Sequence, residues 1–173
     1  MGRINRTQLG QGALGRGECL MVDQKVVVFS SGNEEFGIPV LKVISIERAQ
    51  KLNAIPQMPT FLLGMLTIRD QLIPIVDAGI ILFNIPTTHT DKTKIIVTQT
   101  DSLSVGLLVD DAIEIMDIPK TQLKQISLTY QLSPYITGVA SLENRLITLL
   151  DADNLFDSLE GFDMIEDHIQ SHQ

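Results

Sequence analysis

Few residues of this chain have the side-chain types and spacing that metal binding or redox chemistry requires. The single cysteine, Cys19, has no second cysteine with which to form a disulfide or a CxxC metal site. His168 and His172 have the i, i+4 spacing of helical metal ligands, but their polar neighbours favour a solvated tail. The remaining histidine, His89, follows a pair of threonines in a polar segment. We therefore predict no metal site and no cofactor.

Catalytic motifs are also missing from the sequence. It contains no GxSxG nucleophile elbow, no HExxH and no glycine-rich loop placed ahead of a helix. Asp110 and Asp111, with Glu114 nearby, form an acidic cluster. Adjacent residues on a strand point to opposite faces, so the two aspartates cannot act together as a catalytic pair. We expect that the chain is not an enzyme.

The charge balance excludes further classes of function. Among 173 residues, 21 aspartates and glutamates outnumber 13 lysines and arginines, which gives a formal net charge of −8. The negative electrostatic potential of such a chain repels nucleic acid and anionic lipid. No apolar run reaches the roughly 18 residues of a membrane span, so the expected location is the cytoplasm.

The predicted secondary structure consists mostly of short strands. Segments rich in β-branched residues lie at 25–30, 94–100, 104–109 and 145–150, each bounded by turn-forming residues. Helical patterns are fewer: 77–83, 151–159, less clearly 119–125, and a polar tail from residue 162 onward. The sequence therefore predicts a mainly β fold with short helices.

Two blocks of the sequence repeat in the same order. Residues 61–82 align with 135–156 at a shift of 74 (135 minus 61), and residues 26–46 align with 95–115 at a shift of 69 (95 minus 26). A common β alternation would align valines and isoleucines but would not readily align glycines and aspartates as well. We therefore infer an internal duplication that produces two packed small β-barrels. Its matched positions include Gly37 with Gly106, Ile44 with Ile113, Ile46 with Ile115, Gly64 with Gly138 and Asp77 with Asp151.

The predicted domain organisation follows from this repeat. Residues 1–21 form a flexible leader, residues 22–160 the folded domain, and residues 161–173 a polar C-terminal tail outside the fold. Within the domain we place the first barrel at about 22–88 and the second at about 89–160, and strand exchange between them is left open.

Four ordered motifs resemble one known family. They are Phe36-Gly37-Ile38, the run from Gly64 through Arg69, the run Ile73-Pro74-Ile75-Val76-Asp77, and the run from Val105 to Asp110. Over residues 25–159 the chain resembles the CheW family of bacterial chemotaxis coupling proteins. The resemblance implies two five-stranded, SH3-like β-barrels and an adaptor role without catalysis.

The resemblance also implies partners and contact residues. It implies that the protein bridges the cytoplasmic tips of transmembrane chemoreceptors to the regulatory domain of the histidine kinase CheA, in arrays at the inner face of the membrane. The kinase contact would use Leu41, Lys42 and Ile44. A receptor groove between the barrels would admit a helix backbone at Gly64 and place Arg69 at the receptor hairpin bend. Carried over by position, the whole receptor groove comprises Val43, Ile46, Gly64, Leu66, Ile68, Arg69, Val105 and Leu107.

Two departures and two alternatives accompany this interpretation. Asp70 stands where the family commonly has a turn glycine, and Ala78 and Gly79 replace a frequent Leu-Arg. Within the family, the chain could instead be the CheW-like half of a CheV-type protein, which the length of the native open reading frame would decide. Outside it, the alternative is a small ligand-binding β-barrel, which a bound metabolite would support.

Overall fold

The computed structural model describes residues 24–125 and 134–172. Within these ranges the chain forms eleven strands, two short 3-10 turns at Val40–Lys42 and Lys120–Gln122, and three helices. The helices are α1 (Ala78–Phe83), α2 (Ala152–Asp157) and α3 (Phe162–His172). The strands are β1 (Gln24–Ser31), β2 (Glu34–Pro39), β3 (Val43–Arg48), β4 (Leu62–Ile68), β5 (Gln71–Asp77), β6 (Lys94–Gln99), β7 (Ser104–Val109), β8 (Asp111–Ile118), β9 (Leu123–Gln125), β10 (Ile136–Leu142) and β11 (Arg145–Leu150).

The strands form two sheets, which confirms the mainly β fold class. Sheet A has six strands in the order β8-β1-β2-β11-β10-β9, and sheet B has five in the order β3-β6-β7-β5-β4. The extra strand of sheet A is the three-residue β9, which pairs with β10. Its counterpart beside β4 is only an isolated bridge between Asn53 and Met65. That bridge is too short to count as a strand. The structure therefore has one sheet of six strands and one of five, where two five-stranded units were predicted.

Each sheet combines strands from both halves of the chain. Sheet A takes β1 and β2 from the first half and β8 to β11 from the second, while sheet B takes β3 to β5 from the first and β6 and β7 from the second. The exchange occurs where β3 leaves β2 to pair with β6, and where β8 pairs with β1. The segments predicted at 22–88 and 89–160 are therefore not separate sheets.

The repeat in sequence is also a repeat in hydrogen-bond register. The parallel pairing of β2 with β11 sets Gly37 opposite Leu149, and the parallel pairing of β7 with β5 sets Gly106 opposite Ile75. A Cβ added at Gly37 would lie 3.0 Å from a Leu149 methyl carbon, and one at Gly106 would collide with the Ile75 side chain. A side chain at either position would force the facing residue to shift, because that residue packs over the bare backbone.

The buried residues form one core between the sheets and one within each. Along β1, Val27 and Phe29 belong to the core between the sheets, whereas Val26 and Val28 belong to the core within sheet A. Both faces of the strand are thus covered, which explains its continuous apolar run. The third core lies within sheet B and includes Ile75 and Ile95.

The C-terminal segment corrects one prediction. Residues 162–172 were expected to form a polar tail with a helical pattern outside the fold. They do form a helix, α3, but its Phe162, Ile165 and Ile169 side chains are buried in the core between the sheets. The Phe162 ring stacks on Phe156 at a centroid distance of 5.7 Å. The spacing of three and four residues places the buried side chains on one helical face, while Asp163, Met164 and Asp167 are exposed. The polar composition of the segment had led to the expectation that it lies outside the fold.

The remaining helical predictions have mixed outcomes. Asp77 caps α1 by accepting hydrogen bonds from the backbone N–H groups of Gly79 and Ile80, and Asp151 caps α2 in the same way through Asn154. Both caps satisfy backbone groups that a helix start leaves unpaired. The helix expected at 119–125 is wrong, because that segment is a 3-10 turn followed by β9. Among the helices that the structure describes, none combines the length and the hydropathy needed to cross a bilayer.

Candidate interaction surface

Two edge strands carry matched pairs of exposed isoleucines. Ile44 and Ile46 lie on β3, the edge of sheet B, and Ile113 and Ile115 lie on β8, the edge of sheet A. The shift of 69 residues (113 minus 44 and 115 minus 46) relates the two pairs. We call these four residues the edge-strand surface. Contiguous exposed apolar side chains mark interaction sites. An edge strand also has unpaired backbone groups with which another chain can pair.

The edge-strand surface borders the core between the sheets. Ile46 pairs with Ile96 and Ile115 pairs with Val27, and both partners belong to that core. Directly paired residues share one face of a sheet, so the two isoleucines extend the core to the molecular surface. Their exposures, 40% for Ile46 and 56% for Ile115, leave much of each side chain available to a partner. In addition, β8 contacts β6, the strand with which β3 pairs.

The structure separates the predicted receptor-groove residues into accessible and inaccessible ones. Ile46 is exposed, and Val43 and Ile68 are half-buried. By contrast, Val105 and Leu107 are fully buried and Leu66 is almost so. In sheet B, β7 lies between β6 and β5, and the inward side chains of β7 fill the core between the sheets. Including Val105 and Leu107 in a surface groove was therefore wrong.

Gly64 also has a different role from the expected one. It is buried, with a φ of +156°, and a Cβ there would lie 2.8 Å from the carbonyl oxygen of Asn53. Asn53 and Met65 exchange two backbone hydrogen bonds of 2.9 and 3.0 Å across this site. The chain's own segment therefore covers the position where the backbone of a partner helix was expected. The register irregularity beside Gly64 recurs beside Gly138, which identifies the glycine as part of a repeated bulge.

Arg69 is presented to solvent by a tight turn. Arg69 and Asp70 connect β4 to β5 with φ values of 51° and 66°. Two successive positive φ values are typical of a type I′ hairpin turn, which favours asparagine and glycine. Arg69 is exposed and makes no ion pair within the described part of the chain. Its guanidinium group is therefore available to a carboxylate or carbonyl of a partner.

Two of the three predicted kinase-contact residues have exposed side chains, and the third makes an ion pair within the protein. Leu41 is 94% exposed on the 3-10 turn, and Ile44 follows it on β3. Lys42 instead donates a 2.8 Å hydrogen bond to the Asp153 carboxylate, which also accepts from the Asp101 backbone N–H at 2.9 Å. The hydrogen bond to Asp153 raises the pKa of Lys42, against the opposing effect of burial. Lys42 thus fixes the turn that presents Leu41.

A second charged network lies on sheet A. Arg145 on β11 contacts Glu35 on β2 at 2.8 Å and Glu114 on β8 at 2.9 Å. The hydrogen bond to Glu35 raises the pKa of Arg145, and Glu114 adds to the effect. Glu114 lies between the exposed Ile113 and Ile115 in sequence, so the network anchors the strand that carries half of the edge-strand surface.

Sequence reasoning did not select Ile113 or Ile115 as site residues. The signal that could have found them was the repeat, because it already aligned them with Ile44 and Ile46. The resemblance instead assigned Val105 and Leu107 to the receptor groove. The alternation of residues along their strand does not reveal that both faces of the strand are covered. Within the described ranges, no group of three potential ligands is arranged to hold a metal ion.

Comparisons with known proteins agree with this architecture. The family model for the CheW-like domain matches residues 25–160. The chemotaxis protein CheW of Klebsiella aerogenes is 27% identical over 154 residues, covering 87% of this chain and 92% of that protein. The CheW of Bacillus subtilis is 28% identical over 137 residues, covering 78% and 87%. The crystal structure of the scaffolding protein TtCheW from Thermoanaerobacter tengcongensis superposes with a TM-score of 0.70 at 22% identity, covering 80% of this chain and 94% of that one. The chain therefore belongs to the family of CheW-like domains.

Proposed function

We propose that this protein is a non-catalytic adaptor of bacterial chemotaxis, which couples the cytoplasmic tips of chemoreceptors to the regulatory domain of the histidine kinase CheA. It would act in the cytoplasm, within receptor arrays at the inner face of the membrane. The edge-strand surface is the observation that carries this proposal, because it offers apolar side chains at the rim of the core between the sheets.

The two proposed partners would use different residues. A receptor tip, as a helical hairpin, would pack its apolar side chains against Ile46 and Ile115, with Arg69 bonding polar groups near the bend. The kinase domain would contact Leu41 and Ile44, which the Lys42 to Asp153 bond holds in place.

Titration calorimetry with the purified protein tests the proposal. We expect it to bind the isolated CheA regulatory domain of the same bacterium with a micromolar Kd, roughly −8 kcal/mol, and to bind a receptor-tip fragment separately. If neither partner produces heat of binding while circular dichroism shows a folded protein, the adaptor function is wrong.

Single substitutions then assign the surfaces. We expect Ile115→Glu to weaken receptor-tip binding about tenfold or more, equivalent to ~1.4 kcal/mol, because the new carboxylate must lose water in an apolar contact. Leu41→Glu should weaken kinase binding and spare the receptor. The matched control is Leu146→Glu, an equally exposed apolar residue on β11, away from both edge strands. Equal losses from Ile115→Glu and Leu146→Glu would contradict the assignment of the edge-strand surface.

A further inference from the structure

A cavity of about 570 Å³ opens beside the turn between β1 and β2. Three parts of the chain line it: this turn with Ser31, α1 and the loop that follows it, and the connection from β7 to β8 with Asp110 and Asp111. Phe83 and Ile85 contribute exposed apolar surface to its wall. The proposed adaptor function does not use this cavity.

The internal repeat shows what fills the corresponding place in the other half of the molecule. There, the ammonium group of Lys42 reaches the Asp153 carboxylate at 2.8 Å. The two shifts relate Lys42 to Asp111 (42 plus 69) and Gly79 to Asp153 (79 plus 74). At the cavity, therefore, a carboxylate stands where the other half has its lysine, and a glycine stands where it has its aspartate. The internal ion pair is replaced by an open space that contains an acidic group.

A buried hydroxyl provides a second, independent observation. Ser31 is one of the residues that line the cavity, it is fully buried, and its Oγ atom has no hydrogen-bond partner within the described residues. The equivalent residue in the other half, Thr100 (31 plus 69), donates its hydroxyl to the Leu103 carbonyl oxygen at 2.8 Å. Leaving a buried hydroxyl without a partner is unfavourable, so the Ser31 hydroxyl is suited to bind an occupant of the cavity.

The charges that line the cavity favour a cation. One Asp110 carboxylate oxygen already accepts a hydrogen bond from the Gly32 backbone N–H at 2.9 Å. The carboxylate of Asp77, the N-cap of α1, accepts hydrogen bonds from the backbone N–H groups of Gly79, Ile80 and Thr87. Within the described residues the Asp111 side chain makes neither a hydrogen bond nor an ion pair. Among the described residues that line the cavity, Lys92 is the one cation and is exposed, so it would partly oppose a second positive charge.

We propose that this cavity binds an alkylammonium group, which takes the place that the Lys42 ammonium group occupies in the other half. The Asp111 carboxylate and the Ser31 hydroxyl accept its N–H groups, while Phe83 and Ile85 contact the methylene stem. The group is supplied either by a lysine side chain of a protein partner or by a free aliphatic amine. These two sources share one recognition chemistry.

The test is a titration of the ¹⁵N-labelled full chain, followed by amide chemical shifts. The probe is Nα-acetyl-lysine methylamide, which keeps the side-chain ammonium group. The matched control is Nα-acetyl-norleucine methylamide, which has an apolar alkyl side chain and no ammonium group. We expect saturable shifts at Gly32, Gly79 and Asp111 with the lysine probe and none with the norleucine probe. Equal shifts with both probes, or no shifts with either, would overturn the proposal.

Two aspartate variants on the same strand identify the anion. Asp111→Asn should weaken binding of the lysine probe about fivefold or more, since it removes the unpaired carboxylate. Asp117→Asn makes the same change of charge on β8 at an exposed residue outside the cavity lining, and should leave the affinity unchanged. Equal effects of the two variants would show attraction by net charge alone and would refute the site. Lys92→Gln should strengthen binding, and weaker binding in that variant would also refute it.

A third probe separates the two sources. n-Pentylamine carries one ammonium group without the peptide backbone. Tighter binding of the lysine probe than of n-pentylamine would support a lysine side chain of a protein partner, and tighter binding of n-pentylamine would support a free amine.

Discussion

The packing of α3 gives the sharpest prediction for the fold. Ile165 is 1% exposed in the core between the sheets, whereas its neighbour Met164 is 50% exposed on the same helix. Replacing a buried isoleucine with alanine removes apolar contacts and leaves a cavity, which costs about 2–5 kcal/mol in protein cores. Because α3 packs on the core through one face only and can move partly into the space, we expect Ile165→Ala to lower the free energy of unfolding by about 2–3 kcal/mol.

Urea denaturation followed by circular dichroism measures this loss. For a protein of this size, each kcal/mol corresponds to about 2–4 °C in Tm, so thermal unfolding provides a second measurement. Met164→Ala is the control, and we expect a change within about 0.5 kcal/mol because exposed positions contribute little. If Ile165→Ala and Met164→Ala unfolded at the same urea concentration, α3 would not be part of the folded core.

Two other predictions concern the hairpin turn and the Lys42 ion pair. Asp70→Gly should raise the free energy of unfolding by about 0.5–1 kcal/mol in urea denaturation, because glycine adopts the positive φ of this turn without a steric penalty; a loss of stability would show that the Asp70 side chain makes a compensating contact. Lys42→Met should reduce the dependence of stability on alkaline pH. Folding raises the pKa of Lys42, so its contribution is complete below the unfolded value of about 10.5 and is lost as pH rises through the higher folded value. Urea midpoints measured from pH 9 to 11.5 should therefore fall more steeply for the wild type than for Lys42→Met, and parallel curves would contradict a stabilising role for the pair.

Much of the fold could be predicted because its signals are local or repeated. Asp77 and Asp151 were identified as helix starts, since capping depends on the next two or three residues. Gly37 and Gly106 were recognised as a pair from their positions in the repeat alone. The helical pattern of α3 was equally local and was predicted, but its polar composition led to the wrong expectation that it lies outside the fold.

The candidate site was predicted less well, since exposure depends on which strands become neighbours. Ile115 and Leu107 are both apolar residues of β-rich segments, yet β8 is an edge strand and β7 is central. Strand order is fixed by the pairing of segments far apart in the chain, and no local pattern encodes it. Gly64 illustrates the same difficulty, because residues eleven and twelve positions earlier cover it.

The strand-rich composition, the internal repeat, the helix starts and the lack of catalytic motifs can be read from the sequence, because each of these depends on residue type at short or constant spacing. The exchange of strands between the halves, the exposure of Ile113 and Ile115, and the pairing of Lys42 with Asp153 appear only in the folded molecule. The physical reason is that burial and ion pairing depend on distances in space, and the Lys42 and Asp153 atoms that meet at 2.8 Å belong to residues 111 positions apart in the chain.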